Sequence, residues 1–293
     1  MKRSVLIQSV LALGAIAASA PAAWAQGFNG GLPAGWTCQG TCGTLGLDGD
    51  IGLSGVAGST AYGYVVTSGS EADGQALSPF SSGGGLLGGG LGSETNGTRL
   101  RSGSFAATAG DALNFKFNYI SSDGTDSFIE YAWALVRDAS DLSVEALLFT
   151  GRTNPSGPAV PGFGLPASTA TVNSGNPVNI IVGAIGDGGG PTWSPLLSYS
   201  GQCFGPGCGY TGWVNSTFAF ASSGNFILEF GVINWGDTAW DAGLAFDGIT
   251  VAGVPIDEVP GPGVPAIPEP ETYALMLAGL GAVALMARRR RRN

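Results

Sequence analysis

The sequence predicts an all-β chain: an antiparallel β-sandwich of jelly-roll type, with a signal helix before it and a single transmembrane helix after it. Apolar and polar residues alternate with period two along most of residues 26–252. Clusters of Gly, Asn, Asp, Ser and Pro separate the alternating runs, as turns require. Amphipathic helical period is scarce. A body of about 227 residues suits one large all-β domain.

The chain opens with Lys2 and Arg3, an apolar run over residues 5–18, and Ala23-Trp24-Ala25. A basic start, a short apolar stretch and small residues two apart make residues 1–25 a secretory signal peptide, cut by signal peptidase after Ala25. Strands are then expected at 61–67, 99–107, 113–119, 127–137, 142–150, 178–185, 212–220, 225–234 and 243–252. The clearest is the fourth decade past residue 80, where Leu113, Phe115, Phe117 and Tyr119 share one face and Asn114, Lys116 and Asn118 the other. In the next, Ile129, Tyr131, Trp133 and Leu135 form the larger face. Nine short strands with polar turns fit a jelly-roll sandwich, with immunoglobulin-like topology as the alternative.

Two segments break the pattern. Residues 83–90 hold six Gly, which points to a mobile loop, since ordering Gly costs the most entropy. It lacks the Gly-Lys-Ser/Thr ending of a nucleotide loop. Residues 253–270 hold six Pro, so 253–267 reads as a stiff linker. Beyond it, 273–287 is an apolar run followed by Arg288 to Arg292. As a helix this run reaches about 22 Å at about 1.5 Å per residue. That is short of a hydrocarbon core of about 30 Å, a deficit that bilayer thinning and snorkelling Arg can cover. The positive-inside rule keeps both basic ends cytoplasmic and the body outside.

Pro268-Glu269-Pro270, the apolar run and the Arg cluster stand in fixed order over residues 268–293. This tail closely resembles the PEP-CTERM sorting signal. The resemblance implies that an exosortase recognises Pro268, Glu269 and Pro270. It also implies a Gram-negative bacterium that makes exopolysaccharide. The precursor would sit transiently in the inner membrane, and the mature protein would reach the cell surface or extracellular matrix.

Composition narrows the chemistry. The chain has no His, which removes His-activated nucleophiles, His-ligated zinc and axial-His haem. Residues 26–267 hold five basic residues against 19 acids, a net charge of −14. Such a body should repel nucleic acid, whose recognition needs clustered Lys and Arg. The four cysteines form two close pairs, Cys38 with Cys42 and Cys203 with Cys208, and export favours their oxidation. Local pairing is preferred. Cross-pairing would instead tie the N-terminal edge to a late loop. No spacing marks a metal site.

No motif requires a cofactor. Calcium is the one ion that the acidic turns suit, at Asp48-Gly-Asp50, Asp123 to Asp126 and Asp138 to Asp141, although none completes a calcium motif. Residues 235–251 resemble the closing strand of PEP-CTERM and carbohydrate-binding sandwich domains. There Trp235 and Trp240 could stack on a sugar while Asp237 and Asp241 accept its hydroxyls. A packing role for both rings competes with that reading. A glycosidase would need two carboxylates, and Glu130, Glu145, Glu229, Asp237 and Asp241 are available. An outward strand face accounts for the three Glu. The expectation is a non-enzymatic surface or biofilm-matrix protein with a structural or adhesive role and contact with exopolysaccharide. A carbohydrate-active hydrolase is the alternative.

Overall fold

The computed structural model describes residues 27–80, 93–125, 127–154, 157–182, 189–257 and Gly279. The signal segment, the glycine-rich stretch 81–92, most of the proline linker, Pro268-Glu269-Pro270 and, Gly279 apart, the apolar run with its Arg tail lie outside the described residues. Among those described, no helix is long and apolar enough to cross a membrane.

In chain order the strands are β1 (Thr37–Gln39), β2 (Thr41–Leu45), β3 (Tyr62–Val66), β4 (Glu94–Arg101), β5 (Phe105–Ala107), β6 (Ala112–Ser121), β7 (Tyr131–Asp138), β8 (Val144–Arg152), β9 (Thr171–Val172), β10 (Gly209–Tyr210), β11 (Val214–Ala219), β12 (Gly224–Trp235), β13 (Ala242–Val251) and β14 (Val254–Pro255). A single turn of helix, α1 (Gly74–Leu77), follows β3. One sheet has the order β1-β4-β12-β7-β8, with β5 also on β12. The second has the order β2-β3-β13-β6-β11-β9, with β10 on β6 and β14 on β13. Eight strands pair as one nested hairpin: β7 with β8, β6 with β11, β4 with β12 and β3 with β13. Rolling that hairpin up sets β12 beside β7 and β13 beside β6.

The core lies between the sheets. Leu113, Phe115, Phe117 and Tyr119 all point into it and are buried, as their alternation predicts. Phe117 of β6 stacks on Phe149 of β8 with ring centres 3.8 Å apart. Phe230 of β12 stacks on Phe246 of β13 at 3.9 Å. Each pair joins one sheet to the other. At the sandwich edge the Cys38–Cys42 disulfide does the same, since β1 belongs to the first sheet and β2 to the second. Gly40 between them has φ of +100°, and a Cβ there would run into Thr98, Ser70 and the Gly97 carbonyl.

Several strands differ from expectation. The run 99–107 breaks after Arg101, because the buried Ser102 hydroxyl takes the Leu228 N–H that a ladder bond would use. Residues 178–182 form only single bridges, Val178 to Val160 and Ile181 to Tyr210. The strand expected from 127 starts at Tyr131, because 123–125 is a turn closed by Asp123 accepting from the Thr125 backbone and hydroxyl. The sandwich also runs past residue 252: β14 folds back on β13, and Ile256 joins the core.

The outer face of the first sheet is buried as well. Leu77 and Phe80 cover Tyr131, Trp133, Leu135, Leu147 and Ile233. Trp133 lies so close over Gly231 that a Cβ there would overlap its ring. Beside Trp133 on this face lies Glu229, fully buried at the centre of β12. Its carboxylate accepts from Arg101 Nε at 2.7 Å, Arg137 Nε at 2.7 Å and Nη2 at 3.1 Å, and Trp133 Nε1 at 3.1 Å. Burial alone would push this carboxyl up. The two guanidiniums more than offset that, and its pKa lies below the ordinary value.

Glu229→Gln keeps the shape and removes the charge, leaving the guanidiniums without their counterion. Unfolding in urea at neutral pH should show a loss of about 3–5 kcal/mol, the usual cost of breaking a buried ion pair. A carboxyl with a lowered folded pKa stabilises above its unfolded pKa and loses that contribution as pH falls through the folded one. The gap between variant and wild type should therefore close on acidification below the ordinary carboxylate range. A gap that is the same at pH 3 and pH 7 would show that the charge is not what matters.

Candidate functional site

Three loops, 122–130, 199–208 and 236–241, gather at the end of the sandwich where β6 and β12 finish and β7 and β13 begin. The second loop is tied locally by the Cys203–Cys208 disulfide, with Cα atoms 5.7 Å apart. It is also stitched to the first loop. The Phe204 N–H donates to the Ser122 carbonyl at 2.9 Å, and the Gly124 N–H donates to the Phe204 carbonyl at 2.7 Å. These bonds hold Phe204 outward, with 42% of its surface exposed.

Trp240 sits at φ of +58° at the tip of the third loop. Its ring stacks against Phe204 at 5.4 Å and lies 4.9 Å from Tyr199. Phe128 meets Phe204 edge-on at 6.4 Å. Four aromatic rings from three loops thus form one cluster with an exposed member. Tyr199 lies in no period-two run, Phe128 stands in the run expected at 127–137 but on the face opposite Ile129, Tyr131 and Trp133, and Phe204 is hidden inside the cysteine pair. The only sequence signal for Tyr199 and Phe204 is that each falls outside the expected strands, where an aromatic residue has no strand core to fill.

The four residues singled out from the sequence do not converge. Trp235 packs with the cluster on the outer face of the first sheet, under the Arg152 guanidinium at 5.0 Å from its ring. Trp240 belongs to the aromatic end. The half-buried Asp237 accepts from the Ala239 N–H of its own turn at 2.9 Å, and its carbonyl accepts from the Thr95 hydroxyl. Asp241 is a correction to the sugar-facing expectation. It is buried and accepts from the Thr67 hydroxyl at 2.8 Å and from Asn234 Nδ2 at 3.5 Å. The physical reason is position: Asp241 stands where β13 enters the core, and its carbonyl also accepts from the Ser122 backbone and hydroxyl. Burial pushes its carboxyl up.

Beneath the aromatic cluster lies an acceptor-rich patch. Glu130 and Asp123 are both fully buried. Glu130 Oε2 accepts from the Ser121 hydroxyl at 3.3 Å, while Glu130 Oε1, Asp123 Oδ2 and Asn234 Oδ1 have no hydrogen-bond partner among the described residues. Burial first, and then the nearby Asp123, hold the Glu130 carboxyl well above the ordinary carboxylate range. Asp123 is raised by burial too, against the pull of the Thr125 hydrogen bonds. A hard cation takes such oxygens, yet among the described residues no group of three or more His, Cys, Asp or Glu converges to hold one. The other acidic turns spend their carboxylates on backbone N–H groups, those of Asp48 and Asp50 on a distant segment and those of Asp138 and Asp141 within their own turns. Asp48 accepts from the Ser194 N–H at 2.6 Å and Asp50 from the Thr192 N–H at 2.7 Å. Asp138 accepts from the Ser140 N–H at 2.7 Å and Asp141 from the Ser143 N–H at 2.9 Å.

The carboxylates of the hydrolase alternative are similarly placed. Glu229 is held by Arg101 and Arg137, Glu130 and Asp241 are buried, and Asp237 closes its own turn. Glu145 is exposed on β8, as an outward strand face predicts.

The comparisons address the tail more than the body. A family model described as the PEP-CTERM protein-sorting motif matches residues 266–292. No curated protein matches the chain significantly. Among solved structures, the K1 cleaved adhesin domain of Lys-gingipain from Porphyromonas gingivalis W83 is similar at 12% identity and a TM-score of 0.34, over 77% of this chain and 94% of that one. The K3 cleaved adhesin domain of the same protein is similar at 10% identity and a TM-score of 0.34, over 77% and 95%. At that score neither fold nor function transfers.

Glu130→Gln gives a test of the buried patch. A carboxyl with a raised folded pKa costs stability as pH climbs above its unfolded pKa, about 4.3. The amide removes that cost and brings N–H donors towards Asp123. Thermal unfolding should show the variant more stable than wild type at pH 8, with the advantage gone at pH 3.5. A destabilised variant at pH 8 would show that Glu130 is held ionised by a partner.

Proposed function

We propose that this chain is a jelly-roll cell-surface or extracellular-matrix protein of structural or adhesive role, whose aromatic end makes contact with glycan. The observation that carries the reading is the PEP-CTERM protein-sorting motif at residues 266–292, downstream of an exported β-sandwich. That motif makes the precursor a substrate for exosortase processing at the membrane on the way to the surface. The host is read as a Gram-negative bacterium and the matrix as its exopolysaccharide.

The nested strand order supports the jelly roll, since each sheet receives strands from both halves of the chain. Support for glycan contact comes from chemistry. Aromatic rings present apolar faces that stack on the C–H faces of sugars. The cluster of Trp240, Phe204, Tyr199 and Phe128 is fixed by a disulfide and by backbone hydrogen bonds, so little ordering entropy remains to be lost on binding. Asp237 is half-buried in the same loop as Trp240.

Replacing Pro268, Glu269 and Pro270 by Ala should leave export intact and hold the protein in the inner membrane. Cell fractionation reads this directly, and normal arrival at the surface would defeat the sorting assignment. Trp240→Ala should weaken retention on the host's own surface polysaccharide about tenfold, equivalent to about 1.4 kcal/mol, with the unfolding midpoint near wild type. Unchanged retention would remove the aromatic end from the reading.

A further inference from the structure

Five basic residues serve the whole exported body, and three of them meet in one place. Arg99, Arg101 and Arg137 line a cavity of about 390 Å³ on the outer face of the first sheet, between the α1 segment and the turn at 142–144. Glu229 is the acid bonded there, so three guanidiniums face one carboxylate. The surplus is about two positive charges inside a body of net charge −14. Distant surface acids are screened beyond a Debye length of about 8 Å at physiological salt, so the local surplus governs the cavity. Asp141 and Glu145 flank the turn at 142–144 in sequence but are not among the residues that line the cavity. Asp141 accepts from the Ser143 N–H in its own turn, and Glu145 is exposed at the bulge between β7 and β8.

The three arginines are not equally committed. Arg137 donates through Nε and Nη2 to Glu229 and through Nη1 to the Leu142 carbonyl at 2.9 Å. Arg99 reaches Gln39 Oε1 and, at 3.5 Å, the Leu77 carbonyl. Arg101 donates to Glu229 through Nε, and its Nη1 and Nη2 groups have no acceptor among the described residues. Its side chain is 22% exposed. Burial lowers the Arg99 pKa, and the like charges of Arg101 and Arg137 lower it further against the pull of Glu229. The cavity therefore presents a pre-oriented guanidinium fork whose position is fixed by a buried carboxylate.

We propose that this cavity binds the carboxylate of an acidic saccharide, a uronate, through Arg101 Nη1 and Nη2 with Arg99 beside them. Planar guanidinium forks match a planar carboxylate two bonds at a time. The choice of a sugar as carrier rests on the surface role proposed above; the oxyanion chemistry rests on the arginines alone. The site is separate from the aromatic end and shares no residue with it.

Calorimetric titration of the exported full chain with oligogalacturonate tests this. Binding should be measurable at low salt and weaken as NaCl rises. Arg99→Gln should weaken it roughly tenfold, about one charge-assisted hydrogen bond. Arg101→Lys keeps the charge beside Glu229 but removes the fork, and should weaken it by a similar factor with the unfolding midpoint near wild type. Trp240→Ala should leave it unchanged. Absence of binding at low salt, wild-type affinity in Arg99→Gln, or equal binding of neutral dextran would overturn the proposal. Inorganic phosphate that binds with the same Arg99 dependence while oligogalacturonate does not would overturn the sugar as carrier. Failure of the surface role itself is read elsewhere, by fractionation of the tail variant.

Discussion

The ion cluster on Glu229 is the interaction on which the rest of the first sheet depends. A bare carboxylate at the centre of a buried strand face is costly, because desolvation disfavours the charge. Here β12 places Glu229 between Arg101 of β4 and Arg137 of β7, so one anion holds three neighbouring strands in register. Trp133 completes the carboxylate's bonding through its indole N–H and lies flat over Gly231 one pair further along. Satisfying the charge and packing the aromatic ring are therefore one requirement. That requirement fixes a Gly at 231, a large ring at 133 and the covering residues Leu77 and Phe80.

The strands facing the inter-sheet core were legible because their constraint is local. A strand with one buried face must alternate, and residues 113–119 state that period without interruption. The outer face was less legible for the same reason. Tyr131, Trp133 and Leu135 alternate correctly, but what buries them is a segment more than 50 residues away in the chain, around Leu77 and Phe80. Alternation alone points Glu229 to solvent. It does point away from the core, yet it ends fully buried, because nothing local announces that arginines on two other strands will close over it. The short strands β1 and β2 carry little period in three and five residues, so only the Cys38–Cys42 pair marked that edge.

The candidate site was legible in its chemistry and illegible in its geometry. Trp235 and Trp240 are five residues apart, and sequence spacing puts them together. The turn at 236–241 sends them to different surfaces, Trp235 to the sheet face and Trp240 to the end with Phe204 and Tyr199. The cluster's other rings come from loops 122–130 and 199–208, which only the folded chain brings beside it. Local cysteine pairing, by contrast, needed no tertiary knowledge: four intervening residues, two of them Gly, close readily at Cys203–Cys208.

The distribution of charge constrains what such a body can bind. All five of its cations are anchored within the fold. Arg101 and Arg137 hold Glu229, Arg99 reaches Gln39, Arg152 donates to the Ile129 carbonyl at 3.1 Å and lies over Tyr131 and Trp235, and Lys116 donates to the Ser54 carbonyl at 2.8 Å. Acids such as Asp138, Asp141 and Glu145 are exposed or half-buried and form no ion pair among the described residues. Copies of this body therefore repel at close range, and an anionic polymer meets mostly like charge. Adhesion by such a surface needs contacts that carry no charge, which the aromatic rings supply, or a recess where fixed guanidiniums outnumber acids, which only the cavity around Arg101 supplies among the described residues. The scarcity of cations that makes the outer sheet depend on Glu229 also leaves its arginines as the body's concentrated positive field.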